Sequence, residues 1–192
     1  VGHWTAGRPK EGDNTARSVV AAMKARKRPD GTPLLVGIHF VIGWDGKVFQ
    51  TADLSLATVH VGNRGVINRS IGVETAWPGT MKQAGVLNVP GTQVDHMIAG
   101  TKVRAMVPSP ALLASWVKLA NTLAGLGGAT VALPKLVPGA GGAVRRTRFT
   151  PAEQLAWSGA QEHFHIPPPT TKGDAAGILS DALLAAGWAL SP

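Results

Sequence analysis

Residues 161–174 gather His163, His165, Lys172 and Asp174 on one stretch stiffened by Pro167, Pro168 and Pro169. His163 and Asp174 are 174 − 163 = 11 positions apart, too far for one helical face, but a loop folds back over that distance and points both at one ion. A borderline-soft divalent cation such as zinc accepts imidazole nitrogen and carboxylate oxygen. A catalytic zinc centre takes three protein ligands and leaves the fourth position to water. Lys172, two residues before the carboxylate, is close enough to face a substrate bound there. One more ligand has to come from elsewhere in the chain.

The composition narrows what that ligand can be. Cysteine is absent, which excludes disulfides, thiolate zinc sites and cysteine nucleophiles together, so a metal must be held by histidine and carboxylate. Tyrosine is absent too, so no phenol serves in catalysis. At 192 residues, 44% hydrophobic and 16% charged, the chain has the length and balance of a single globular domain, residues 1–192. A net charge of +8 and a pI near 10.5 predict attraction to a polyanion, either nucleic acid or an anionic cell-envelope surface. The basic residues are scattered and lack interleaved aromatics, which argues against specific nucleic-acid binding. No apolar run reaches the roughly 18 residues of a transmembrane segment, no secretory leader is visible, and a monomer is expected.

Several elements that position these residues are legible. A helix is expected over residues 14–27, with Val19, Val20, Met23 and Lys27 marking a mixed face that ends in a basic run. Residues 36–42 are rich in β-branched types and read as a buried strand. Trp44-Asp45-Gly46-Lys47 then signals a hairpin returning through Val48-Phe49-Gln50. Residues 54–65 read mostly as loop, and residues 70–75 as a strand that carries Glu74 among apolar neighbours. Residues 78–107 are punctuated by Gly and Pro and yield no assignment. Ser109 caps, and Pro110 opens, a helix to about residue 126, with Leu112, Leu113, Trp116, Leu119, Ala120 and Leu123 at helical spacing. Residues 127–149, rich in Gly and Pro and bearing Arg145, Arg146 and Arg148, read as an exposed insertion. Thr150 and Glu153 fit a capping box, and residues 174–186 form a closing helix with Ile178, Leu179, Ala182 and Leu183 inward.

Five short motifs fall in order along nearly the whole chain. They are His3-Trp4-Thr5-Ala6-Gly7; His39-Phe40-Val41-Ile42 with Asp45-Gly46; His60-Val61-Gly62; Asn68-Arg69-Ser70-Ile71-Gly72-Val73-Glu74; and His163 through Asp174. In this order the sequence resembles the zinc-dependent N-acetylmuramoyl-L-alanine amidases that share a fold with peptidoglycan recognition proteins, many of them phage endolysins. The resemblance implies an α/β fold, a central mixed β-sheet flanked by helices, with a substrate groove on one face. It implies His3, His163 and Asp174 as zinc ligands, with His165 competing for the place of His163; Ile166, three positions after His163, favours the latter. It further implies Glu74 as general base, Lys172 as stabiliser of the oxyanion, and His60, Trp4 and Asn68 as substrate contacts.

The sequence departs from the family pattern in three places. Ile38 stands where many relatives carry a tyrosine, which throws weight on Glu74. Ala175-Ala176-Gly177 follows the final Asp in place of Pro-Gly, and only two residues precede His3. The implied reaction is hydrolysis of the amide between N-acetylmuramic acid and L-alanine of the stem peptide, in an endolysin-like role. A recognition module that binds peptidoglycan without cutting it is the alternative. Such modules typically lose a ligand or the base, whereas here all four residues are present.

Overall fold

The computed structural model describes residues 1–4, 14–25, 27, 29–32, 37–61, 64–77, 93–98, 100–126, 135–166 and 177–190. In chain order the elements are β1 (Gly2–Trp4), α1 (Asn14–Ala25), β2 (Phe40–Ile42), β3 (Val48–Gln50), α2 (Arg64–Ile67) and β4 (Val73–Thr75). The hairpin strands β5 (Gln93–Ile98) and β6 (Thr101–Met106) follow, then α3 (Pro110–Leu126), β7 (Lys135–Leu136), α4 (Pro151–Ala156), α5 (Ile178–Ala185) and β8 (Ala189–Leu190). The central sheet is mixed, in the order β1-β4-β2-β3, with β1, β4 and β2 parallel and β3 antiparallel to β2. Among the described residues no helix is long and apolar enough to cross a membrane.

Strand alternation divides the sheet into two faces. Phe40, Ile42 and Val73 join the main core, together with Leu112 and Trp116 of α3 and Leu179 and Leu183 of α5. Val41 points the other way, into a smaller cluster with Ala16 and Ile38, against which Val19, Val20 and Met23 of α1 pack. The two faces are thus covered by different helices, as the alternating β-branched residues demand.

Local chemistry sets the connections. Gly46 turns the β2–β3 hairpin at φ 81°, and a Cβ there would stand 2.8 Å from the Ala111 carbonyl oxygen. Ser109 Oγ accepts the Leu112 N–H at 3.1 Å and donates to the Trp44 carbonyl, so the cap of α3 is also its tie to the hairpin. Thr150 and Glu153 form the expected capping box.

Several boundaries differ from expectation. The first helix ends at Ala25, the strand of residues 36–42 is paired only from Phe40, and that of residues 70–75 only from Val73. The unassigned stretch contains β5 and β6, held by Asp95 reaching Lys102 and Arg104 across the hairpin. Of the exposed insertion expected over residues 127–149, residues 135–149 are described, and they are part exposed, over 140–143, and part buried. There β7 pairs with β8, and Leu136, Val137, Val144 and Phe149 are buried. Its Arg145 and Arg146 are held by Glu153 and Asp181. Residues 127–134, and the start of the helix expected over residues 174–186, lie outside the described residues.

Candidate active site

Register places the first two candidate residues side by side. In the parallel β1–β4 pair His3 is the direct partner of Glu74, and Glu74 is in turn the partner of Val41 in β2. Direct partners share a face, so His3 and Glu74 both lie on the face opposite the main core. Thr75 Oγ donates to the His3 carbonyl at 2.5 Å and pins the two strands together.

The third residue arrives from the outer edge of β1. Gly2 bridges Glu162 in parallel and its N–H donates to the Gln161 carbonyl at 2.9 Å. One residue further, His163 comes up beside His3. The two rings lie 4.6 Å apart between centroids at 69°, and both residues are buried, at 3% and 4% exposure. Imidazoles that share a zinc ion, with Zn–N near 2.1 Å, have ring centres roughly 5 Å apart. The spacing of the two rings is close to that value.

His60 completes a row of rings, 5.8 Å from His3. Its Nδ1–H donates to the Thr58 carbonyl at 2.7 Å, and its Nε2 faces the Ser70 hydroxyl at 2.9 Å. Burial, the largest cause, holds its pKa down to about 3, with nearby positive groups including His3 adding to the effect. The ring can pack this closely because residue 72 is glycine: a Cβ there would meet His60 Cγ at 2.6 Å and Ile38 Cδ1 at 2.7 Å. Behind it His39 is fully committed. Its Nε2–H donates to the Leu56 carbonyl at 2.9 Å, and its Nδ1 accepts the Gly72 N–H at 3.0 Å. Both of its ring nitrogens are thus tied to the backbone.

His165 is placed differently from His163. It is buried completely, its Nδ1 accepts the Glu162 N–H at 3.0 Å, and its Nε2–H donates to the Arg145 carbonyl at 2.9 Å. Burial lowers its pKa to about 4, so it is a neutral ring with both nitrogens in use. Glu162 itself was missed in the sequence. Its side chain is entirely buried on the core side, and it accepts N–H groups from Gly177 at 2.7 Å and Ser180 at 2.8 Å. Burial pushes its carboxyl up to about 7 against the pull of those donors. The signal available was an acid set directly before a candidate ligand.

The remaining candidates are placed less closely. The backbone of Trp4 belongs to β1, while its side chain, and Lys172 and Asp174 altogether, lie outside the described residues. Asn68 is exposed and lines a separate cleft of about 810 Å³ that also includes Trp116, Trp157 and Trp188. None of His3, Glu74 or His163 lines that cleft, so its size says nothing about the chemistry. Among the described residues no group of three or more His, Cys, Asp or Glu side chains is close enough to hold a metal ion.

The comparisons with known proteins bear on this geometry. A family model described as N-acetylmuramoyl-L-alanine amidase matches residues 1–133, which include His3, His60 and Glu74 and stop short of His163. No curated protein and no solved structure matches the chain.

Proposed function

The chain belongs to the N-acetylmuramoyl-L-alanine amidase family, and from that premise we propose that it is a zinc-dependent peptidoglycan hydrolase with an endolysin-like role. The scissile bond is the amide between N-acetylmuramic acid and the L-alanine of the stem peptide. The observation that carries this reading is the buried ring pair of His3 and His163 on the sheet face that also bears Glu74.

His3, His163 and Asp174 would hold the metal. A zinc ion there would supply Lewis acidity, enough to make water a usable nucleophile near neutral pH and to polarise the amide carbonyl. Glu74 takes the proton of the attacking water and passes it to the leaving amine of L-alanine. Lys172 offers an ammonium to the developing oxyanion. His60, neutral and fixed by Thr58, sits beside His3 where it can touch the substrate, with Trp4 as a further contact; Asn68, on the separate cleft, has no such place. The net charge of +8 holds the enzyme to anionic wall polymers, an attraction that weakens with salt.

Purified protein should contain one zinc per chain and release stem peptides with free L-alanine amino termini from purified sacculi, both lost on chelation. Protein that contains no zinc and binds sacculi without cutting them identifies the non-catalytic recognition module instead.

A further inference from the structure

Glu162 contributes no group to the reaction just described, yet a carboxylate with no solvent exposure is costly to keep. Its surroundings indicate what it is kept for. Helix α5 is preceded by Gly177, which offers no side chain to cap it. The cap comes from fifteen residues earlier: one carboxylate oxygen of Glu162 takes the Gly177 N–H and the other takes the Ser180 N–H. Gly177 stands at φ 81°, a conformation that side chains beyond glycine rarely adopt.

The same residue is fixed at its other end. Glu162 bridges Gly2 in parallel, and its N–H is held by His165 Nδ1. His163 follows immediately and stands against His3. Glu162 therefore joins the segment that carries His163 to the start of α5 at Gly177 and Ser180. Lys172 and Asp174 belong to the stretch between those two points.

We propose that Glu162 is a positioning residue for the metal centre. It ties the segment that carries His163 to the first turn of α5 and to the edge of β1, and so fixes the place from which His163 meets His3. This rests on the reading of His3, His163 and Asp174 as ligands. The tie acts by holding the backbone on both sides of His163, so the ring is already in place when the ion arrives. A serine or aspartate at the helix start would cap α5 equally well. It would not connect that helix to the strand edge beside β1.

The test uses the full chain and its Glu162→Gln and Glu162→Asp variants. Gln keeps the shape but presents an amide NH2 to one of two N–H donors; Asp keeps the charge with a shorter reach. Zinc affinity is measured by competition with a chelating dye, the ligand field from the visible absorption of the Co²⁺-loaded protein, and the tie itself by deuterium exchange at residues 177–180 without metal. Glu162→Gln should bind zinc roughly 10- to 100-fold more weakly, with altered Co²⁺ bands and faster exchange at residues 177–180, and Glu162→Asp should fall between. If Glu162→Gln does not fold, the Glu162→Asp comparison decides on the same readouts. Equal zinc affinity and Co²⁺ spectra in wild type and the folded variants overturn the role given to Glu162 and leave the amidase reading standing. A wild-type chain that takes up no zinc overturns the amidase reading and this proposal with it.

Discussion

His3 and Glu74 are direct partners in the parallel pairing of β1 with β4, although 71 positions separate them in the chain. The proposed ligand and the proposed base are therefore held at the spacing of adjacent strands, about 4.8 Å, by backbone hydrogen bonds. Side-chain flexibility has little part in setting that relation. Glu74→Gln keeps the shape and removes the proton acceptor. Release of stem peptides from sacculi should fall roughly 10²- to 10⁴-fold, with zinc content by elemental analysis unchanged. A variant as active as wild type removes Glu74 from the mechanism.

His163 and His165 separate by experiment in the same way that they separate in space. His163→Ala should take zinc well below one per chain. His165→Leu should retain zinc but strand the Glu162 N–H and the Arg145 carbonyl, at a cost of about 1–3 kcal/mol for each buried group. Elemental analysis and urea unfolding of the two variants give the comparison, and the reverse pattern would exchange their roles.

Gly72→Ala tests the packing behind His60. The added methyl would collide with the His60 and Ile38 side chains, at 2.6 Å and 2.7 Å. Overpacking of this kind should destabilise the fold by about 1–3 kcal/mol and displace the His60 ring. Urea titration measures the first effect and the imidazole nitrogen resonances of His60 the second. Unchanged resonances would show that the ring has room the structure does not give it.

Acid stability should depend on Glu153. Its carboxylate accepts from Arg145 and from the Thr150 N–H, and those bonds hold its pKa down to about 2, Arg145 being the largest cause. With the folded value below the ordinary 4.5, the unfolded chain takes up the proton first as pH falls. The contribution is complete above about pH 4.5 and is lost between there and about pH 2. Thermal melts of wild type and Glu153→Gln should differ at pH 6 and converge towards pH 2. A constant gap across that range would contradict the assignment.

The parts legible in the sequence are those whose cause is local. Ser109 with Pro110, Thr150 with Glu153, and Gly46 after Asp45 each act within a few residues of what they organise, and the structure has the cap, the box and the turn in place. The candidate pair of His3 and His163 emerged from motif order and not from any physical pattern, because the sheet edge that joins them is not written in either segment alone. Glu162 stayed hidden for the same reason: its partners lie 15 and 18 positions on, beyond any helical or strand period. The hairpin of β5 and β6 was hidden by its half-exposed faces, which give little contrast between apolar and polar positions. In residues 135–149, Gly and Pro suggested exposure, yet Leu136, Val137 and Val144 fill the core beside β8.

The parallel bridge from Gly2 to Glu162 also governs when the protein becomes whole. A ribosome that has delivered the chain as far as Met106 has released His3 and Glu74, but the imidazole that stands against His3 has not yet been made. Closing a span this long comes late in folding, after the hairpins and helices that form from neighbours in sequence. The ring pair of His3 and His163 is thus completed only once the last third of the chain has been made, whatever has already folded before it.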